Sequence, residues 1–457
     1  MLRSDRLGVT SFIRDLSLRS KCYENLLHFF HSTAYRLSNL RKKWYGIVAG
    51  KAPLYMIKGR IVLIGDGVKQ SKEARRMPGV KKLSQESETC SKPEYIHGHF
   101  FGAVGVLIAN GAKKFCLPLK VNLQDGLKEA ATWDETKASH MEISSQSHIE
   151  QMIEAGFEAA KVLGKSFFLL DRYFLAKSAL ELVNKLNREA AHPDGNLLEV
   201  VTKAKSNCTG YRRPYRKKGT RGRPPKKGNP IKLIKLFNQK RLFQEGKVLV
   251  YGKEETVSYY GHKLLWGKGL YQELLFVLVV MGDKRSILVS TDTTLDPLTV
   301  IELYALRFGI EGLFREFKQQ PGGFSYHFWT LSLPKLNHYA KKTDPDPLSR
   351  ITDTNDRKKI LESVRATEMF VMCASVAMGI LQILALDNRW ATEIMGSRYL
   401  RTRSKNLPSE GTVMYYLRRF IFIILGNSPS SFITKYIREK QMWEDLIEDE
   451  PDTSQTA

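Results

Sequence analysis

The sequence predicts an α/β fold in which a mixed sheet is flanked by helices. Residues 61–64 and 166–170 are apolar runs with the length of buried strands, and an aspartate follows each run, Asp66 and Asp171. Between them, 147–163 has the apolar spacing of a helix. Strands that alternate with helices along one segment are typical of a sheet covered by helices.

Other segments extend this prediction in both directions. The first 50 residues carry apolar side chains at helical spacing and predict helices. Residues 95–109 and 114–121 predict a pair of strands. The runs 247–251 and 276–280 are rich in valine and aromatic residues and predict further strands. From about 293 to 385 the pattern returns to helices.

A polar stripe is predicted on one of these helices. At about 100° per residue, Tyr304, Arg307, Glu311 and Lys318 share a stripe roughly 60° wide. The apolar side chains between them fall on a separate stripe that can pack on a core. The stripe is either the solvated face of an amphipathic helix or a group of side chains held against a ligand, and periodicity alone leaves both interpretations open.

Three acidic residues stand in contexts that suit metal chemistry. Asp66 and Asp171 are predicted at strand ends, and Glu311 is predicted on the helix just described. Mg²⁺ prefers hard oxygen ligands and is usually held by a few carboxylates together with water and substrate phosphate. Two aspartates and one glutamate are therefore a plausible set for holding divalent metals against a phosphodiester.

The charge of the chain points to a polyanionic partner. The sequence has 72 Lys and Arg against 47 Asp and Glu, a formal net charge of +25, which favours salt-dependent binding to phosphates. Residues 212–227 contain nine basic residues and no acid. Inside this run, Arg221 and Arg223 flank Gly222 in a pattern that resembles the core of an AT-hook. A basic loop that follows the DNA backbone is the preferred interpretation, with minor-groove reading as the alternative.

The residues on the polar stripe also resemble a known family. Their spacing, Y-x2-R-x3-E-x6-K, is similar to the signature around the catalytic glutamate of bacterial insertion-sequence transposases of the DDE class, the insertion-sequence-four type. The resemblance covers roughly residues 55–385. Further segments that resemble the family are Asp66-Gly67, Leu170-Asp171-Arg172, Ser290-Thr291-Asp292 and 314–318.

This resemblance implies a fold, a reaction and roles for particular residues. It implies an RNase H-like sheet, interrupted by a β-rich insertion between Asp171 and Glu311. It implies that Asp66, Asp171 and Glu311 are catalytic and hold two Mg²⁺ ions, with Mn²⁺ as a substitute. The expected activity is cleavage at element ends followed by strand transfer into target DNA. The side chains expected to contact DNA are Tyr304, Arg307, Lys318, Lys69, Arg221 and Arg223.

The residue pattern along the chain predicts five parts. The expected parts are a helical DNA-contacting or docking segment (1–54), the first part of the catalytic domain (55–190), the β-rich insertion with its basic loop (191–290), the second part of the catalytic domain (291–385), and a helical C-terminal region with an acidic tail (386–457). Two alternatives remain at this point. One is a metal-dependent nuclease of the same fold that cuts without joining. The other is a catalytically decayed protein that only binds DNA.

Partners and location follow from weaker signals. The five cysteines form no C-x-x-C pair, which suits a reducing cytoplasm, and the first residues lack the apolar core of a signal peptide. Residues 369–386 are long and apolar, and we expect a buried helix there rather than a membrane span. The expected partners are DNA and a second copy of the chain in a synaptic complex, without a membrane, in the cytoplasm of a bacterium near its nucleoid.

Overall fold

The computed structural model describes residues 8–85, 94–215, 223–250, 252–337, 344–398 and 406–442. These residues form an α/β structure in which helices cover both faces of one large mixed sheet, which confirms the predicted class. The strands are β1 Met56–Ile57, β2 Arg60–Ser71, β3 Lys81–Ser84, β4 Tyr95–Asn110, β5 Lys113–Leu123, β6 Ser166–Leu169, β7 Leu198–Lys203, β8 Thr209–Tyr211, β9 Pro230–Lys232, β10 Gln244–Val250, β11 Lys253–Trp266, β12 Gln272–Met281 and β13 Lys284–Ser290.

The described residues form thirteen α-helices. They are α1 Thr10–Asp15, α2 Cys22–His31, α3 Leu37–Lys51, α4 Asp134–Ala138, α5 His148–Leu163, α6 Lys177–Ala190, α7 Leu233–Leu236, α8 Pro297–Leu306, α9 Gly309–Gln319, α10 Thr354–Leu386, α11 Asn388–Arg398, α12 Glu410–Gly426 and α13 Phe432–Glu439. Several begin at side-chain caps. Ser147 and Glu150 form a capping box at α5, and the Asp296 carboxylate caps α8, whose first residue is Pro297.

The half of the sheet that carries both aspartates has the strand order β5-β4-β2-β6-β7. Strand β2 pairs in parallel with β6, and β6 pairs in parallel with β7, whereas β4 runs antiparallel to β2 and β5. The β2–β6 register ends at Ile64 opposite Leu169. Continued by two residues, it sets Asp66 beside Asp171, at the edge where the parallel strands β6 and β7 end.

Side chains of β2 alternate between two apolar layers. Val62, Ile64 and Val68 belong to a core cluster that includes residues of α8, α9 and α10. Ile61 and Leu63 belong to a second cluster with α3, α5 and α6. Asp66 shares the parity of the first set, so its side chain points toward the layer that contains α9.

The β-rich strands continue the same sheet. Strand β13 pairs antiparallel with β7, and β12, β11, β8 and β9 follow outward, with β10 on β11. The strands predicted at 247–251 and 276–280 are present as β10 and β12, apart from residue 251, which lies outside the described residues. All of β8 to β12 lies between Asp171 and Glu311 along the chain.

The long apolar segment 369–386 forms the second half of α10. By length and composition, α10 is the helix in the described residues that is apolar enough to cross a membrane, and 67% of its most apolar window is buried inside the structure. Its Gly379 packs so closely against Trp44 that a Cβ at this position would lie 2.3 Å from the indole ring. The Trp44 indole N–H donates to the carbonyl of Pro118 in β5 at 2.9 Å, which ties α3 and α10 to the sheet.

Two predictions about local structure are wrong. Asp66 lies in the middle of β2 rather than at its end, because β2 stays paired with β4 as far as Ser71. The residues from Tyr304 to Lys318 do not form one straight helix, because α8 ends at Leu306 and α9 begins at Gly309. At this junction the backbone stays right-handed, but the amide of Arg307 bonds the carbonyl of Tyr304, three residues back.

Candidate active site

Asp66, Arg307 and Glu311 meet above the β2 strand. Nη1 of Arg307 donates to Oδ2 of Asp66 at 3.0 Å, and Nη2 of Arg307 donates to Oε1 of Glu311 at 3.2 Å. The exposed fraction of the side chain is 16% for Arg307, 25% for Asp66 and 47% for Glu311. One guanidinium therefore bridges two of the three predicted acids, and Glu311 is the one more open to solvent.

The Asp66 carboxylate is held in a partly desolvated position. Burial raises its pKa, and the negative charge of Asp171 raises it further, while Arg307 and a hydrogen bond from the Gly67 amide oppose the shift. The Gly67 N–H donates to Oδ1 of Asp66 at 2.8 Å. The net result is a raised pKa, which means that this carboxylate stands to gain from a nearby cation.

Asp171 follows β6 by two residues, as predicted from the sequence. Oγ1 of Thr202, on the neighbouring strand β7, donates to the Asp171 backbone carbonyl at 2.8 Å and fixes the chain there. The Asp171 charge raises the pKa values of Asp66, Tyr304 and Arg307. All three predicted acids therefore act on the same small region.

Tyr304 and Arg307 lie together at the junction between α8 and α9. Burial is the main cause that raises the pKa of the Tyr304 phenol, to about 12, so the hydroxyl stays a hydrogen-bond donor at neutral pH. Burial alone would lower the pKa of Arg307, but Asp66, Tyr304, Asp171 and Glu311 outweigh burial and raise it. Both side chains thus carry donors beside the acids.

The other predicted DNA contacts lie farther from this junction. Lys318 is exposed in the last turn of α9, with its Nζ 6.0 Å from the centre of the Phe324 ring. Lys69 is on β2 but at the opposite parity to Asp66, and its ammonium donates to the carbonyl of Ser84. Lys69 is therefore not brought together with the acids.

The basic segment is described only at its two ends. Arg221 lies outside the described residues, and Arg223 is exposed. At the base of the segment, the Arg212 carbonyl accepts from the Gly228 amide at 2.8 Å. Nζ of Lys227 lies 4.2 Å from the centre of the Tyr211 ring. The base is thus anchored at the β8–β9 hairpin.

The donor set suits a hard divalent cation. Three carboxylates supply the oxygen ligands that Mg²⁺ prefers, and the mutual repulsion of Asp66 and Asp171 would be relieved by a cation near them. Across the described part of the chain, no three His, Cys, Asp or Glu side chains are close enough to hold one ion. In this region the guanidinium of Arg307 lies between Asp66 and Glu311.

One further exposed aromatic residue, close to Asp171 along the chain, was not predicted from the sequence. Tyr173 is 60% exposed, two residues after Asp171. Its ring centre lies 5.9 Å from those of His148 and Phe174, and the contact with Phe174 is edge-to-face. Burial lowers the pKa of His148 to about 4, so its ring is neutral at pH 7. Proximity to Asp171 is the signal in the sequence that would have marked Tyr173.

Comparison with known proteins adds little to this geometry. No family model matches the sequence, and a search of curated proteins gave no significant match. Among solved structures, the chain is similar to the NurA nuclease from Sulfolobus solfataricus, at 10% identity and a TM-score of 0.22. The match covers 64% of this chain and 86% of that chain. At this TM-score the similarity supports no conclusion about the fold or function of this chain.

Proposed function

We propose that this protein is a DNA transposase of an insertion sequence, which cleaves DNA at element ends and joins them to target DNA. The observation that carries the proposal is the setting of Arg307, which bonds Asp66 and Glu311 and whose pKa is raised by the charges of Asp66, Asp171 and Glu311. The three acids are far apart along the chain. The guanidinium of Arg307 links Asp66 to Glu311, and the charge of Asp171 raises the pKa of Asp66. The resemblance to insertion-sequence transposases implies the same three residues.

We also propose that the catalytic core is RNase H-like, with β8 to β12 as its insertion. In support, Asp66 lies on β2 and Asp171 follows the parallel neighbouring strand β6. Glu311 lies on α9, which packs on β2 and β5. In the sequence, strands β8 to β12 lie between the second acid, Asp171, and the third, Glu311, where the proposal requires an insertion.

Asp66, Asp171 and Glu311 would hold Mg²⁺, in two ions, with Mn²⁺ as a substitute. When bound, such ions activate an attacking oxygen and stabilise the leaving one in phosphodiester chemistry. The other residues bind and orient the substrate. Arg307 and Lys318 supply cations for phosphate oxygens, and the Tyr304 hydroxyl supplies a neutral donor.

Two successive displacements account for the proposed reaction. In the first, a water oxygen bonds to phosphorus at the element end, the 3′ oxygen leaves, and it takes a proton to become a free hydroxyl. In the second, that hydroxyl oxygen bonds to a target phosphorus and loses its proton, and the target's own 3′ oxygen leaves. One P–O bond forms and one breaks in each step, so no external energy source is required.

The partners follow from the reaction and the charge. A net charge of +25 and the basic run support DNA as the substrate. Joining two element ends in one reaction requires two active sites, so a homodimer in the synaptic complex is part of the proposal. The setting is the cytoplasm of a bacterium, near its nucleoid.

A strand-transfer assay tests the proposal. The purified chain is incubated with Mg²⁺ or Mn²⁺, a duplex carrying the element end and a supercoiled target, beside Asp66→Ala, Asp171→Ala and Glu311→Ala. We expect joined products that disappear in each variant. Cleavage without joining would replace this proposal with a nuclease. DNA binding without metal-dependent products would replace it with a decayed DNA-binding protein.

A further inference from the structure

We propose that Arg307 competes with divalent metal for Asp66 and Glu311, and that DNA, by drawing Arg307 onto phosphate, raises the metal affinity of the site. The inference rests on the proposed metal-dependent function. It adds a coupling between metal binding and DNA binding, which neither the family resemblance nor the three acids alone imply.

The geometry of Arg307 is the starting observation. Its two terminal nitrogens donate to different carboxylates, at 3.0 Å to Asp66 and at 3.2 Å to Glu311. Those two side chains are two of the three proposed metal ligands. An oxygen that accepts from a guanidinium at this distance cannot also present the same lone pair to a metal ion. The arginine and the metal are therefore alternative partners for the same oxygens.

Electrostatics strengthens this exclusion. The guanidinium keeps its charge at any pH that the protein tolerates, so deprotonation cannot relieve its repulsion of a dication. The repulsion grows as the distance and the effective dielectric constant fall, and Arg307 is only 16% exposed. Metal binding between Asp66 and Glu311 is therefore favoured when Arg307 moves away.

Phosphate is the partner that can draw Arg307 away. Arginine binds phosphate through two parallel hydrogen bonds, one of the strongest interactions available to its side chain. Arg307 lies at the α8–α9 junction beside Phe308, which is 50% exposed, so the junction is open to a substrate on its outer side. A DNA phosphate bound there would release both carboxylates.

Such an exchange has a thermodynamic consequence. If DNA raises the affinity for metal by some factor, metal must raise the affinity for DNA by the same factor. The protein would then hold metal weakly until DNA is bound. Metal-dependent reactions in the absence of bound DNA would therefore be limited.

A second arginine in the fold provides a matched control. Arg41 also bridges two carboxylates, with its Nη2 2.6 Å from Oε2 of Glu142 and its Nε 3.7 Å from Oε2 of Glu158. Its side chain is 11% exposed, close to the value for Arg307. Replacing Arg41 removes a comparable ion pair without touching the three acids.

The test is a titration of the full chain with Mn²⁺, followed by electron paramagnetic resonance of the free ion, with and without a short duplex. Arg307→Gln is expected to bind Mn²⁺ about tenfold tighter than the parent without DNA. Arg41→Gln is expected to match the parent. The duplex should tighten Mn²⁺ binding to the parent about tenfold and leave Arg307→Gln unchanged. Arg307→Lys, which keeps the charge but replaces the two-nitrogen fork by a single nitrogen, should fall between the parent and Arg307→Gln and serves if Arg307→Gln does not fold.

The outcomes separate this inference from the function on which it rests. Equal or weaker Mn²⁺ binding by Arg307→Gln and Arg307→Lys, with binding lost in Asp171→Asn, would overturn the competition and leave the metal site standing. If the parent and both Arg307 variants bind no more Mn²⁺ than Asp171→Asn, with or without DNA, the metal site and the competition fall together.

Discussion

Nη1 of Arg307 lies 3.0 Å from Oδ2 of Asp66, although the two residues are 241 positions apart in the chain. This contact joins the helix layer to the middle of the central strand β2. The same guanidinium also donates to Glu311, one helical turn further along α9. The Arg307 side chain therefore connects Asp66 to Glu311.

Tyr173 is expected to contribute to DNA binding through its exposed ring. Stacking of a base on an aromatic side chain is worth about 1–3 kcal/mol. Tyr173→Ala should therefore weaken binding of DNA that carries an unpaired base near the cleavage point by about 5- to 150-fold. Tyr173→Phe keeps the ring and should bind like the parent, as measured by fluorescence anisotropy. Equal loss in both variants would show that the hydroxyl, not stacking, matters.

The ends of the basic segment are expected to bind DNA through phosphates alone. Arg223→Ala and Lys227→Ala should each weaken binding similarly for unrelated sequences. Each should lower the slope of log affinity against log salt by about one. Lys185→Ala, on α6 and paired with Glu189 at 3.8 Å, is the control and should leave the slope unchanged. A loss confined to A·T-rich duplexes would instead favour minor-groove reading.

Close packing beside Asp66 predicts a steric effect at Gly65. A Cβ at Gly65 would lie 2.6 Å from Cζ of Phe168, so Gly65→Ala should destabilise the fold by about 1–3 kcal/mol. Gly46, in the middle of α3, has nothing within 4 Å of a Cβ, and Gly46→Ala should stabilise it by about 0.5–1 kcal/mol.

Urea denaturation measures both effects. Phe168→Leu should recover part of the loss in Gly65→Ala, so that the double variant is more stable than the sum of the single changes indicates. Additive losses in the two single variants would show that Phe168 is not the obstacle.

A buried acid in α10 predicts a pH effect on stability. Burial raises the pKa of Glu368 to about 7 from an ordinary value of 4.5, and the Leu123 amide donates to its carboxyl group at 3.1 Å. The folded state therefore binds more protons than the unfolded state between those pH values. It follows that Glu368 makes the protein less stable as pH rises from about 4.5 through 7.

Glu368→Gln keeps the acceptor and removes the charge. Its gain in the free energy of unfolding should be near zero at pH 4.5 and about 3 kcal/mol above pH 7, from urea denaturation at each pH. Glu362→Gln, an exposed position on the same helix, should show no such trend. A gain in Glu368→Gln that is independent of pH would show that the carboxyl group does not titrate in this range.

Periodicity and local composition were sufficient to predict the α/β class, the strands β2, β4, β5, β6, β10 and β12, and helix α5. The three acids and the polar stripe could also be recognised from the sequence. Alternation along a strand and spacing along a helix are local properties. The position of Asp66 within β2 was missed, because the length of β2 depends on its pairing with β4 as far as Ser71.

Other features depend on contacts between distant segments, and the sequence does not encode them locally. The break before Gly309 keeps a right-handed backbone, and Gly309 itself lies over Leu107 and Ile64 of the sheet. The buried Lys72, whose Nζ donates to the carbonyls of Phe324 and Tyr326, fastens the segment after α9 to the end of β2. No spacing rule indicates such a contact.

The most direct test of the central claim is to map where a bound metal lies. Fe²⁺ replaces Mg²⁺ in the purified chain, ascorbate and peroxide generate hydroxyl radicals at the metal, and mass spectrometry locates the backbone cuts. We expect cuts near residues 66, 171 and 311, all suppressed by excess Mg²⁺ and by Asp171→Asn. Cuts confined to other segments, or cuts that Mg²⁺ does not suppress, would contradict a shared metal site formed by these three acids.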